Sequence, residues 1–91
     1  MKLRDYLKPL SAEQREDFAV EVGTTLGHLN NVQYEQRTAS AALTRQIAQT
    51  TGRRVAEWDL RPHDWHLIWD HLIGTVGAPA PPDAHGVRDA A

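Results

Sequence analysis

The sequence predicts an all-α fold: a compact domain of four to five short helices over residues 1–73, followed by a disordered C-terminal tail over 74–91. Three observations carry this. Apolar residues recur at helical spacing, as in Leu3, Tyr6, Leu7 and Leu10, or Leu43, Ile47 and Ala48. Serines, threonines and glycines punctuate those segments where helices start and stop. The closing stretch, "GTVGAPAPPDAHGVRDAA", has no periodicity and three prolines, a composition that buries too little apolar surface to fold.

The elements follow in order. Leu3, Tyr6, Leu7 and Leu10 make a first helix, whose length Pro9 limits. Ser11 is a good N-cap, and Gln14 stands three residues later, as a capping box requires. The helix that Ser11 opens turns Phe18, Ala19 and Val22 inward and keeps Glu13, Arg15, Glu16, Asp17 and Glu21 on its other faces. Gly23 ends it, because glycine adopts the left-handed conformation cheaply. Thr24 or Thr25 caps a short third helix with Leu26, Leu29 and Val32 inward. "EQRTA" reads as a loop. Ser40 caps a fourth helix, "AALTRQIAQT", which Gly52 closes. "RRVAEWDLRP" reads as irregular or briefly extended, and "HDWHLIWDHLI" as a final turn or two of helix.

Composition narrows the function. Ninety-one residues make one small domain. With no cysteine, neither disulfides nor thiolate metal sites are available. No apolar run approaches the roughly 20 residues of a membrane span, and "MKLRDYLKPL" lacks a secretory apolar stretch. A cytoplasmic protein without a membrane partner is expected. The net charge of −2 argues against nucleic acid, but the distribution argues the other way. Between Val22 and Ala56, Arg37, Arg45, Arg53 and Arg54 stand against Glu35 alone; between His63 and Ala91, four aspartates stand against Arg88. The middle is basic and the end acidic.

A pattern within the second and third helices points to chemistry. When two helices cross over a tight turn, the first needs a small residue at the crossing and the turn needs a glycine. Ala19 and Gly23 supply these, four residues apart, with Phe18, Val22, Leu29 and Val32 as the flanking apolar set. This is a helix-turn-helix pattern, whose second helix enters the DNA major groove. Thr24, Thr25 and Gly27, all small, would then let the backbone come close to phosphates and base edges.

The chain also resembles a known family: the small phage and prophage regulators of the Cro and repressor type, above all the YdaS-like, antitoxin-type group. The resemblance lies in "LRDYLK" at Leu3 to Lys8, "SAEQREDFA" at Ser11 to Ala19, "GTTLGHLNN" at Gly23 to Asn31, "YEQRTASAAL" at Tyr34 to Leu43, and "DLRP" with the tryptophan-containing segment up to Trp69. It covers roughly residues 2 to 70. Two positions depart from it: family members commonly carry glycine where this chain has Glu35 and proline where it has Ala39. The resemblance implies a repressor-like helix-turn-helix domain with a recognition helix from Thr25 to Tyr34. On it, Asn31 would read adenine through its amide, and His28 would donate to guanine or phosphate. Thr25 would meet phosphate or a thymine methyl, and Leu26 would lie over a thymine methyl, with Gly27 and Tyr34 completing the outward face. Arg37, Arg15 and the helix N-terminus at Ser40 would contact phosphates, the last through its backbone N–H groups.

Other motifs carry less. His63, His66 and Asp70 fall near one helical face with a spacing that suits zinc, but nothing in the sequence supplies the outer hydrogen-bonding partners such ligands use, and no metal or other cofactor is expected. Trp58 reads as core; Trp65 and Trp69 read equally as core or as a dimer or partner surface. No nucleophile elbow, phosphate-cradling loop or paired carboxylates are present, so no enzyme is expected. Two functions remain. One is a sequence-specific regulator of transcription, expected to repress, acting as a homodimer on palindromic double-stranded DNA. The other is a protein-binding regulator on the same scaffold, its partner a cognate toxin or an RNA polymerase subunit. The basic middle and the small outward residues favour the first; the overall acidity, Glu35 and the tryptophan-rich end favour the second.

Overall fold

The computed structural model describes residues 1–81, and the described residues are all-helical. In order they form α1 (Leu3–Leu7), α2 (Ala12–Glu21), α3 (Leu26–Gln33), α4 (Ala41–Thr50), α5 (Glu57–Leu60), α6 (Trp65–Ile68) and a 3-10 turn at Asp70–Leu72. The three longest helices begin where side-chain caps stand. Ser11 and Gln14 form the reciprocal capping box at α2, Thr25 accepts from the His28 N–H at α3, and Ser40 accepts from the Leu43 N–H at α4.

The same three helices end alike. Each stops on a left-handed residue, with the paired 5→2 and 6→1 hydrogen bonds that satisfy the last carbonyls. After α2 these are Gly23 N to Val20 O (3.0 Å) and Thr24 N to Ala19 O (2.9 Å), with Gly23 at φ 84°. After α4 they are Gly52 N to Gln49 O (3.2 Å) and Arg53 N to Ala48 O (2.7 Å). After α3 they are Glu35 N to Val32 O (3.1 Å) and Gln36 N to Asn31 O (2.8 Å), but the left-handed residue is Glu35, at φ 63°. A glutamate there carries a steric cost that glycine does not. The position is the one at which the resembled family commonly has glycine.

The main core gathers Leu3 and Leu7 of α1, Phe18, Ala19 and Val22 of α2, Leu29 and Val32 of α3, and Leu43 and Ile47 of α4, closed by Ala39 and Val55. A second cluster of Trp65, Trp69 and Leu72 packs with Trp58, Ala78 and Ala41, the first residue of α4. Trp65 and Trp69 are therefore buried (1% and 7% exposed), which places them in the core and not on a partner surface. Trp58 is only half-buried and meets Trp65 edge-on at 5.4 Å. Residues 74–78, which the sequence assigns to the tail, form turns in which Ala78 N bonds to Thr75 O and Gly77 lies against Trp58. Residues 82–91 of the expected tail lie outside the described residues.

α5 corrects the irregular reading of "RRVAEWDLRP". It has no hydroxyl or amide cap; Asp59, at its third position, instead reaches back to the Ala56 N–H (2.9 Å). It ends before Arg61, whose non-helical backbone suits a residue preceding proline. Glu57 of α5 is fully buried and takes ion pairs from Arg45 and Arg53. Its Oε1 lies 3.2 Å from Arg53 Nη2, without hydrogen-bond geometry. Arg53 also lies 5.4 Å from the centre of the Trp58 ring.

Candidate nucleic-acid interface

The α2–α3 pair is built as the spacing of Ala19 and Gly23 requires. All six residues of the crossing that carry a side chain or a turn are placed accordingly: Phe18, Ala19, Val22, Leu29 and Val32 are buried, and Gly23 makes the turn in left-handed conformation. Burying an aliphatic side chain such as Leu29 stabilises by about 1.5–3 kcal/mol, so this inward set fixes which way α3 faces.

Away from Leu29 and Val32, α3 is open in part, with Leu26 packing against the edge of the core. Thr25 and Gly27 are exposed; Leu26, His28 and Asn31 are half-buried; Tyr34, the C-cap, is 59% exposed. A Cβ added at Gly27 would meet nothing within 4 Å, so no packing inside the chain calls for glycine there. The neighbouring asparagines differ. Asn30 Oδ1 accepts from Gln33 Nε2 (2.7 Å), whereas no hydrogen bond among the described residues holds the Asn31 amide. Asn31 thus keeps a donor and an acceptor side by side, the pair that adenine offers in the major groove.

At the N-terminal end of α3, Thr24, His28 and Ser40 come together. With Glu21, Ala42 and Gln46 they line a cleft of ≈ 440 Å³ between α2, α3 and the start of α4. The first-turn N–H groups of α4 have no partner within their helix, and the helix dipole adds partial positive charge there. Glu21, which the sequence places on the wet face of α2, stands on the same wall and opposes an anion. At the C-terminal end of α3, Tyr34 and Gln33 line a second cleft with Arg4, Asp5, Lys8 and Arg15. Sequence reading gave no sign of Arg4 and Lys8 there, because α1 reaches that end of α3 only through the tertiary fold.

Three arginines take other places than an open phosphate contact would need. Arg15 donates from Nε to Leu7 O and from Nη2 to Lys8 O (both 3.0 Å), and so caps the C-terminal end of α1. Arg45 and Arg53, two of the four arginines in the middle of the chain, are committed to Glu57. Arg37 is exposed on the loop after α3, apart from Thr24, His28 and Ser40, in a cleft with Glu35, Arg61, His63 and Asp64. That loop is tied down by Arg61, which donates to Ala39 O (2.6 Å) while its Nε and Nη2 grip Asp64 (3.0 and 2.6 Å). The hydrogen bonds from Arg61 hold the Asp64 carboxyl below the ordinary carboxylate range.

Among the described residues no three histidine, aspartate or glutamate side chains are grouped as metal ligands; His66 is buried against Trp65, with ring centres 5.8 Å apart, while His63 and Asp70 are exposed. No helix among them is long and apolar enough to cross a membrane. No protein-family model matches the chain, and no curated protein matches it in sequence.

Proposed function

We propose that this protein is a sequence-specific DNA-binding regulator of the Cro-like or YdaS-like kind, acting in the cytoplasm as a repressor with α3 in the major groove. The observation that carries the reading is the outer face of α3. It is covered only in part by the chain, it carries an unbonded amide at Asn31, and it includes an exposed helical glycine that internal packing does not explain. In this reading Asn31 and His28 meet base edges, Thr25 and Leu26 lie against thymine methyls or backbone, and the start of α4 at Ser40 receives a phosphate. A second copy reads the other half of a palindrome. The test is selection of bound sequences from random duplex DNA by the purified protein. Enrichment of a symmetric site with half-sites about one helical turn apart supports the reading; recovery of no preferred sequence refutes it.

A protein partner is the second reading, and one observation favours it. Leu67, Ile68, Ile73 and Val76 are exposed near the C-terminal end of the described chain (69%, 41%, 46% and 102%). Apolar side chains clustered in that segment suit a protein contact, whether a toxin or a polymerase subunit, better than a duplex.

A further inference from the structure

The basic residues divide by what they touch. Lys2, Arg37 and Arg54, like Arg4 and Lys8 at α1, enter no side-chain ion pair among the described residues. What sets Arg4 and Lys8 apart is their shared cleft at the end of α3. Arg45 and Arg53 are spent on Glu57, and Arg61 on Asp64. Arg4 and Lys8 form no ion pair among the described residues, and both are exposed. They stand four residues apart, so they share one face of α1, while Leu3 and Leu7 share the buried one. The clamp from Arg15 onto Leu7 O and Lys8 O fixes the end of α1 and adds a third positive charge. Together with Tyr34 and Gln33 these residues enclose a cleft of ≈ 350 Å³, in which Asp5 is the one opposing charge.

The position of this cleft gives it a meaning. The Ser40 cleft lies at the start of α3 and the α1 cleft at its end. The helix between them has eight residues and is about 12 Å long. With the outer side of α3 in the major groove, which admits a helix by its diameter, the clefts at its two ends would lie beside the sugar–phosphate backbones that border the groove.

We propose that Arg4 and Lys8, held beside Tyr34 by the Arg15 clamp, bind backbone phosphates of duplex DNA at the end of α3 remote from the start of α4. This rests on the DNA-binding reading of α3 and adds to it a second grip. Arg15 acts as a positioning residue and Tyr34 offers its hydroxyl to the same phosphate strand. Sequence discrimination stays with α3.

The experiment measures binding of the full chain to the selected duplex, by fluorescence anisotropy, between about 50 and 200 mM salt. Each phosphate neutralised contributes a slope of about −0.9 in log K against log salt. The double variant Arg4→Gln/Lys8→Gln should therefore have a slope shallower by about 1.8, so its affinity falls about twelvefold less over that range. Its preference for the selected site over scrambled duplex should stay within twofold of wild type. The charge-preserving Arg4→Lys/Lys8→Arg exchange should keep the wild-type slope, and Asn31→Ala should show the converse: slope kept, preference lost. Equal melting temperatures by circular dichroism establish that the variants are folded. A wild-type slope in the Gln double variant overturns the second grip and leaves the DNA-binding reading standing. A wild-type protein that binds no duplex overturns both.

Discussion

Replacing Gly27 with alanine separates internal packing from contact with a partner. Gly27 is the second residue of α3, after the Thr25 cap, and it is exposed. An added Cβ would meet nothing within 4 Å. Alanine is therefore free of steric cost in the folded chain and gains helix propensity. In a helix interior the gain is about 0.5–1 kcal/mol; in the first turn, where the backbone is less constrained, about 0.5 kcal/mol is expected. For a domain of this size that raises the melting temperature by about 2–4 °C. On DNA the sign reverses. The methyl group adds about 1.5 Å of reach where the backbone is to come nearest the duplex, and affinity should fall at least tenfold, about 1.4 kcal/mol. Thermal unfolding followed by circular dichroism and anisotropy titration with the selected duplex read the two effects on one protein. A variant both more stable and equally tight on DNA would show that glycine is not there for close approach. A lower melting temperature would show that the site is packed after all.

The remaining predictions concern the ends and ties of the helices. Glu35→Gly removes a left-handed strain of about 1–2 kcal/mol against a glycine entropy cost of about 0.5–1 kcal/mol, so urea denaturation should find it more stable by about 0.5–1 kcal/mol; a loss of stability would contradict the strain argument. Glu57→Gln leaves two arginines facing a neutral buried amide. Both are more than a third exposed and recover some hydration, which brings the usual cost of breaking a buried pair down to about 2 kcal/mol, measurable as a lower urea midpoint. Asp64 has its pKa depressed by Arg61, so its contribution to stability is present above the unfolded carboxyl value of about 3.9 and is lost as pH falls through the lower folded value. Unfolding curves of wild type and Asp64→Asn should accordingly differ at pH 7 and converge in acid; a gap that persists at the acid end would assign the effect to something other than this ion pair.

What could be read from the sequence was local. The capping box at Ser11 and Gln14, the caps at Thr25 and Ser40 and the stop at Gly23 depend on residues within a few positions of one another, and the structure places them as the spacing demands. The inward stripe of α3 was legible for the same reason, since helical periodicity alone separates Leu29 and Val32 from Gly27, while Thr25, in phase with them, is exposed as the cap. α5 was not legible. It is four residues long, and its cap is an aspartate reaching backward, so neither periodicity nor a leading serine marked it. The charge of the middle segment misled for a different reason. Counting signs along the chain assigns Arg45 and Arg53 to an open basic face, but Glu57, beyond them in sequence, is folded beneath both. Arg15 likewise looked like a surface cation and turned out to hold two carbonyls of α1. Each of these depends on tertiary contacts that a linear reading does not contain.

Under the proposed DNA-binding reading, the brevity of α3 limits how much sequence one molecule can extract. Eight residues span about 12 Å, and base pairs stack every 3.4 Å or so, which leaves room for about four of them beneath the helix. A word of four letters recurs by chance on the order of once every 250 base pairs, and a genome holds on the order of a million or more competing positions. Two such words at a fixed separation recur on the order of once every 65,000, a figure that a few contacts outside the word and the local stiffness of the duplex can lengthen further. If α3 is such a reader, a single copy is too short to locate one address, and the proposed second copy supplies the remainder.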